Sequence, residues 1–263
     1  RYKIVHAKDS FHGRTMGALS ATNRKHQEGF KPLAGGFKAI PYNEIAPLQN
    51  ALLDQKVCAV VLEPIQGENG VKMPDKKYLK QVRKLCSTYK VLLILDEIQV
   101  GIGRTGKLFA YEHFGIKPDI MTLAKALGGG IPCGAFLATD NVARHLAPGN
   151  HGTTLGGNPL AMSAGMAVLK TIMEEGLLDK AHSTGEYFMD GLSTLRKKSC
   201  GVIVQVRGMG LIIGVELVNN ETAKKVVEGC MEKGLLTILT EQRVMRILPP
   251  LNISENEVDK ALG

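Results

Sequence analysis

The sequence predicts an α/β protein built on a mostly parallel sheet covered by helices, with a smaller α+β unit at its C-terminal end. Three observations carry that prediction. Short, wholly apolar runs alternate with helical segments through the first two-thirds, as strands buried on both faces require. Near Asn158 this alternation gives way to one long helix and then a helix–strand–strand–helix series. The length, 263 residues, suits one large domain or two smaller ones.

The elements follow in order. Residues 2–7 read as a strand, 44–55 as a helix and 58–63 as a buried strand. Residues 75–88 place Tyr78, Val82 and Leu85 at helical spacing, and the run 91–96 is a strand ending in a carboxylate. Residues 120–123 and 134–138 are further short strands. Pro159–Glu174 is the long helix, rich in small residues that allow close packing. Beyond it, 185–197 and 222–233 read as helices, and 202–206 and 211–217 as strands. Ser254 and Glu257 have the spacing of a capping box and start a last helix. The boundary falls between residues 168 and 169, giving units 1–168 and 169–263. Both ends of the chain read as cuts inside a longer fold.

Composition excludes several classes. Apolar residues make up 44% and charged residues 22%, which is ordinary for a globular protein and argues against disorder. No run approaches the roughly 20 apolar residues of a membrane span. The charge is +8, but the basic residues are scattered, there is no Trp, and no nucleic-acid partner is expected. Five cysteines with no CxxC pair argue against a disulfide framework and for a reducing, cytoplasmic compartment. The seven histidines show no metal-ligand spacing.

Three glycine motifs invite misreading. Gly101 to Lys107 spells GxxxxGK, yet Leu108 stands where a P-loop needs its Mg²⁺-binding hydroxyl, and no strand of its own precedes it. Gly208, Gly210 and Gly214 resemble a dinucleotide fingerprint, but a strand follows where a helix N-terminus is needed, so a hairpin is expected. Gly128, Gly129 and Gly130 suit either a phosphate cradle or a flexible turn.

Four other segments make chemical sense together. Asp96 ends a buried strand, where a carboxylate needs a cation; a protonated pyridine or an arginine such as Arg104 would serve. Lys125 lies among apolar and small residues, a setting that lowers an amine's pKa and suits a Schiff base. Phe11 and Arg14 follow the first strand; one can stack on a planar ring, the other can clamp a carboxylate. Thr154 lies beside glycines that suit a phosphate. Alone, each has a structural explanation. Together they describe a pyridoxal-phosphate enzyme acting on an amino acid.

The segments SFHGRTMGALSAT (10–22), VVLEPIQGENG (60–70), LILDEIQVGIGRTG (93–106), TLAKALGGGIPCGA (122–135), HGTTLGGNPLA (151–161), VRGMGLIIGVEL (206–217) and RILPPL (246–251) run through nearly the whole chain. On these the chain resembles the class III aminotransferases of fold type I, and most of all their members acting on N²-acetylornithine. The resemblance implies pyridoxal 5′-phosphate as cofactor. Lys125 becomes the amine that holds it and shuttles the proton, and Asp96 the partner of its pyridinium nitrogen. Ile98 and Phe11 pack on its two faces, and Gln99 bonds its phenolic oxygen. Thr154 reaches the phosphate of the neighbouring subunit, so a homodimer is implied. Arg14 holds the substrate α-carboxylate and Glu63 lines the pocket. Glu68 pairs with Arg246 and masks it until 2-oxoglutarate presents its second carboxylate.

The implied reaction moves the δ-amino group of N²-acetylornithine to 2-oxoglutarate, giving N-acetylglutamate semialdehyde and glutamate in arginine biosynthesis. Ornithine, succinylornithine and 4-aminobutyrate are the alternative donors; an inactive homologue or fragment is the alternative of another kind. Two positions depart from the family pattern: Ile98 replaces a valine, and Leu155 stands where many relatives carry an aromatic. The N-terminal part of the family fold, with a Ser-Gly-Ala segment that binds the phosphate, lies outside this sequence.

Overall fold

The structure is a computed structural model that describes residues 1–241 and 243–263. Its chain forms two compact units, each with its own sheet.

The first unit holds β1 (Lys3–Ala7), β2 (Phe37–Ile40), β3 (Val57–Leu62), β4 (Leu92–Asp96), β5 (Ile120–Leu123) and β6 (Ala135–Ala138). Their order is β2-β1-β3-β4-β5-β6. The first five run parallel and β6 runs antiparallel to β5. The central strands are nearly all apolar because both faces are covered: Val60, Leu62, Leu93 and Leu95 are completely buried. Helices α1 (Met16–Ser20), α2 (Ile45–Leu52), α3 (Tyr78–Tyr89) and α4 (Asp140–Ala143) complete it, and α5 (Pro159–Glu174) begins in it and ends in the second unit. The α3 helix buries Tyr78, Leu79, Val82 and Cys86, one apolar stripe at helical spacing. Lys90, in a left-handed conformation, ends it.

The second unit holds α6 (Leu177–Lys198), β7 (Ile203–Met209), β8 (Ile212–Leu217), α7 (Asn220–Glu232), β9 (Ile238–Thr240), β10 (Val244–Ile247) and α8 (Glu255–Leu262). Its sheet is antiparallel, in the order β7-β8-β10-β9. Phe188, Leu211, Ile213, Leu217 and Val258 fill the core beside it. The capping box at Ser254 and Glu257 is formed in both directions.

The units are not two consecutive halves of the chain. The division of the main run falls after Lys170, but Ile65–Met73 and Val100–Ala110 cluster with the C-terminal residues. The reason is apolar: Ile65, Val71, Val100 and Ala110 are buried in one cluster with Ile212.

Several elements differ from expectation. The helix expected from 185 begins at Leu177, and Gly185 sits inside it because a Cβ there would strike the backbone of Gly210. Strands β2, β9 and β10 were not expected at all. The GxxxxGK segment is a run of turns with no helix at Lys107, and 208–214 is the β7–β8 hairpin. The three glycines form a turn in which Gly129 is left-handed, and a Cβ there would come 2.7 Å from Val168. Among the described residues, no helix is long and apolar enough to cross a membrane.

Candidate active site

In open parallel sheets, ligands bind beyond the carboxyl ends of the strands, where the strand order reverses. Here that place lies between β1 and β3. Phe11 and His12 follow β1, Glu63 follows β3, Asp96 ends β4 and Lys125 follows β5. Four adjacent strands thus aim chemistry-bearing residues at one edge.

Asp96 is buried, 6% exposed. Its Oδ1 accepts from the Ile98 amide at 3.1 Å, closing a local turn. Its Oδ2 lies 2.8 Å from His12 Nδ1. The expected alternative partner, Arg104, instead donates to the carbonyls of Leu211 and Pro249 in the second unit. A carboxylate offers about four acceptor positions, so these two bonds leave room for a further N–H.

His12 is the residue that sequence reasoning missed. Its side chain is only 5% exposed, and Nε2 is buried with no hydrogen-bond partner among the described residues. Burial disfavours its charged form. The hydrogen bond to Asp96 and the charges of Glu63 and Asp96 outweigh that and raise its pKa. The loop is stapled beneath it: Ser10 Oγ donates to the carbonyls of Ala7 and Ala21, and the His12 amide donates to Thr22 Oγ1 at 3.0 Å.

Glu63 is buried and accepts from the Phe11 amide at 3.0 Å. Burial pushes its pKa up to about 7, and the nearby Asp96 charge adds to this, while His12, the Phe11 amide and Lys125 oppose it. Glu63, His12, Asp96 and Lys125 therefore share one electrostatic site.

Lys125 takes a left-handed conformation (φ 44°) where β5 passes into a short 3₁₀ turn. Such a conformation costs a non-glycine residue about 1–3 kcal/mol and concentrates at functional sites. The lysine is exposed in this chain, whereas its apolar and small neighbours led us to expect a poorly solvated amine. Those same small residues, Gly128 to Gly130, have no side chains to cover it.

The remaining expected residues fall as follows. Phe11 is half-buried; its ring meets His26 edge-on and lies 5.3 Å from the exposed guanidinium of Arg14. Ile98 and Gln99 are half-buried just beyond Asp96, and Thr154 is exposed. Glu68 and Arg246 both belong to the second unit, where Arg246 Nη1 donates to Glu68 Oε1 at 2.9 Å. The arginine is 6% exposed and the glutamate 35%.

The family model for class III aminotransferases matches residues 1–263. Acetylornithine aminotransferase of Caldanaerobacter subterraneus subsp. tengcongensis is 51% identical over all of this chain and 66% of its own length. The solved structure of Toxoplasma gondii ornithine aminotransferase, described with partial occupancy of PLP at its active site, superposes with a TM-score of 0.93 at 38% identity; it covers 99% of this chain and 62% of its own. Acetylornithine aminotransferase of Elizabethkingia anophelis does so at 0.86 and 36%, covering 99% and 63%. This chain belongs to the class III aminotransferase family, with the fold of type I pyridoxal-phosphate enzymes. It spans just under two-thirds of the length of these relatives.

Pyridoxal phosphate is the cofactor of that class, and the residues present fit it. A buried carboxylate with spare acceptor capacity, backed by His12, suits a pyridinium N–H. A lysine stands one strand away, since Asp96 pairs with Thr122, three residues before Lys125.

Proposed function

We propose that this chain carries the catalytic core of an aminotransferase that moves the δ-amino group of N²-acetylornithine to 2-oxoglutarate. The observation that carries the reading is the convergence of His12, Glu63, Asp96 and Lys125 at the ends of four neighbouring strands. The names of the relatives support the donor.

When bound, pyridoxal phosphate supplies the electron sink for breaking a C–H bond next to nitrogen. Lys125 Nζ would be the amine that holds the cofactor and the base that carries the proton to and from the substrate carbon. Asp96 would keep a proton on the ring nitrogen, and His12 Nδ1 fixes Asp96 Oδ2 in place. Phe11 and Ile98 would pack against the ring, and Gln99 would bond its phenolic oxygen. Arg14 takes the substrate α-carboxylate, and Glu63 borders the amine. Glu68 covers the charge of Arg246 during the amine half-reaction and yields it to the second carboxylate of 2-oxoglutarate. Thr154 serves the phosphate of a partner subunit in a homodimer. Five free cysteines suit a reducing cytoplasm.

A second reading, ornithine as donor, is favoured by the ornithine aminotransferase fold relative. The test uses the full-length protein loaded with pyridoxal phosphate, N²-acetylornithine and no keto acid. The visible band should convert to the amine form of the cofactor, and borohydride should label Lys125. Faster conversion by ornithine or 4-aminobutyrate would reassign the donor. Failure to form the band would leave an inactive homologue.

A further inference from the structure

The Glu68–Arg246 pair depends on how the turn 66–72 is docked, and that docking is visible residue by residue. The turn closes on itself through paired backbone hydrogen bonds between Gln66 and Lys72. At its end Val71 is completely buried in a left-handed conformation (φ 50°), a strained state for a β-branched residue. Such strain persists only where surrounding contacts overdetermine it.

Those contacts lie on one rung of the second sheet. Arg207 in β7 and Arg246 in β10 both pair with Gly214 in β8. Gly214 leaves a notch between the two arginines, and Val71 occupies it; a Cβ on Gly214 would come 2.9 Å from Val71 Cβ. On one side of the notch, Arg246 takes Glu68. On the other, Arg207 grips the turn's backbone: Nε donates to the carbonyls of Gly70 and Val71 at 3.0 and 3.1 Å, and Nη2 donates to Gly70 at 2.7 Å. Arg207 Nη1 is itself held by Glu216 at 2.6 Å. Glu216 is also tied to Arg243, and the Arg207 hydrogen bond holds its carboxyl below the usual range.

We infer that Arg207 is the positioning residue of the gate: by clamping Gly70 and Val71 over the Gly214 notch, it sets how firmly Glu68 covers Arg246, and so the balance between the amine donor and the diacid acceptor. The inference rests on the gate reading given above. It adds that Glu68 is presented by the same unit as Arg246, so the pair opens by local movement of the turn or the glutamate side chain.

The test measures the two half-reactions separately in the full-length, cofactor-loaded enzyme. Glu68→Ala checks the gate itself: it should tighten saturation by 2-oxoglutarate and lower kcat/KM for the amine donor. Arg207→Gln should shift both in the same directions by about three- to tenfold, the size of about one ordinary net hydrogen bond. Arg207→Lys should recover part of the shift. Combined with Glu68→Ala, Arg207→Gln should add nothing, as residues acting through one another do. Hydrogen exchange at amides 67–71 should speed up in Arg207→Gln. Gly214→Ala, whose Cβ lifts Val71 while keeping every charge, should reproduce the shift if Arg207→Gln fails to fold. A full additional effect on the Glu68→Ala background, or equal losses in both half-reactions, would show Arg207 to be merely structural. If Glu68→Ala changes neither half-reaction, the gate reading falls and this inference with it.

Discussion

The two units handle charge in opposite ways. In the first, two carboxylates and an imidazole crowd together at the strand ends: Asp96, Glu63 and His12, with a histidine nitrogen unbonded among the described residues. In the second, carboxylates face guanidinium groups, Glu216 between Arg207 and Arg243, and Glu68 on Arg246. The first arrangement is costly for the protein alone and suits binding a cationic ring. The second is largely satisfied internally and suits holding a shape. On the function proposed above, the first cluster would serve the chemistry and the second the choice of substrate.

The sharpest way to break this contrast is Asp96→Asn. If the first cluster serves the chemistry common to both directions, both half-reactions should slow together, by about 100- to 1,000-fold. Stopped-flow spectra of each half-reaction would show it, and a loss confined to one would sink the division of labour.

Next in size is a stability effect with a defined pH window. Glu63 has a pKa of about 7 in the folded chain against 4.5 ordinarily. The folded state therefore holds the extra proton between those values. Its stabilising contribution is complete below about pH 4.5 and is lost as pH rises through about 7. A shift of that size corresponds to about 3 kcal/mol. In the cofactor-free protein, Glu63→Gln should match the parent near pH 4 and exceed it by about 3 kcal/mol near pH 8. Urea unfolding at the two pH values would measure this, and equal gains at both would mean that burial of the charge is not the cause.

The smallest expected effect sits in the second unit. Arg243 is 41% exposed and touches Glu216 and Val218 rather than the turn. Arg243→Gln should cost under about 1 kcal/mol in unfolding and leave the 2-oxoglutarate KM unchanged. A several-fold KM shift would extend the positioning role beyond Arg207.

The sequence made some of this legible and hid the rest for physical reasons. Strands β3 and β4 stand out because burial on both faces demands unbroken apolar runs. Strand β10 does not, because Arg246 interrupts it with a charge that only a partner 178 residues away explains. Strands β2 and β9 are short edges with exposed positions. Asp96 and Lys125 could be suspected from their own surroundings. His12 could not, because its importance comes from Asp96, 84 residues later. The only local signal was a polar residue in a loop already marked by Phe11 and Arg14. The placing of Ile65–Met73 in the second unit was equally silent: nothing in a valine announces a left-handed backbone.

That placing has a consequence for the order in which the chain acquires structure. The cluster of Ile65, Val71, Val100 and Ala110 is completed by Ile212, with Met209 packed against it. The bonds around it span 107 residues from Arg104 to Leu211 and 137 from Gly70 to Arg207. During synthesis at about 5–20 residues per second, those apolar loops wait for about 5–30 seconds before their partners emerge. The first sheet can pair earlier, but its two loops stay uncovered, and long-range closures of this kind slow folding. The emerging chain therefore presents a defined sticky interval, the span that a chaperone would have to shield.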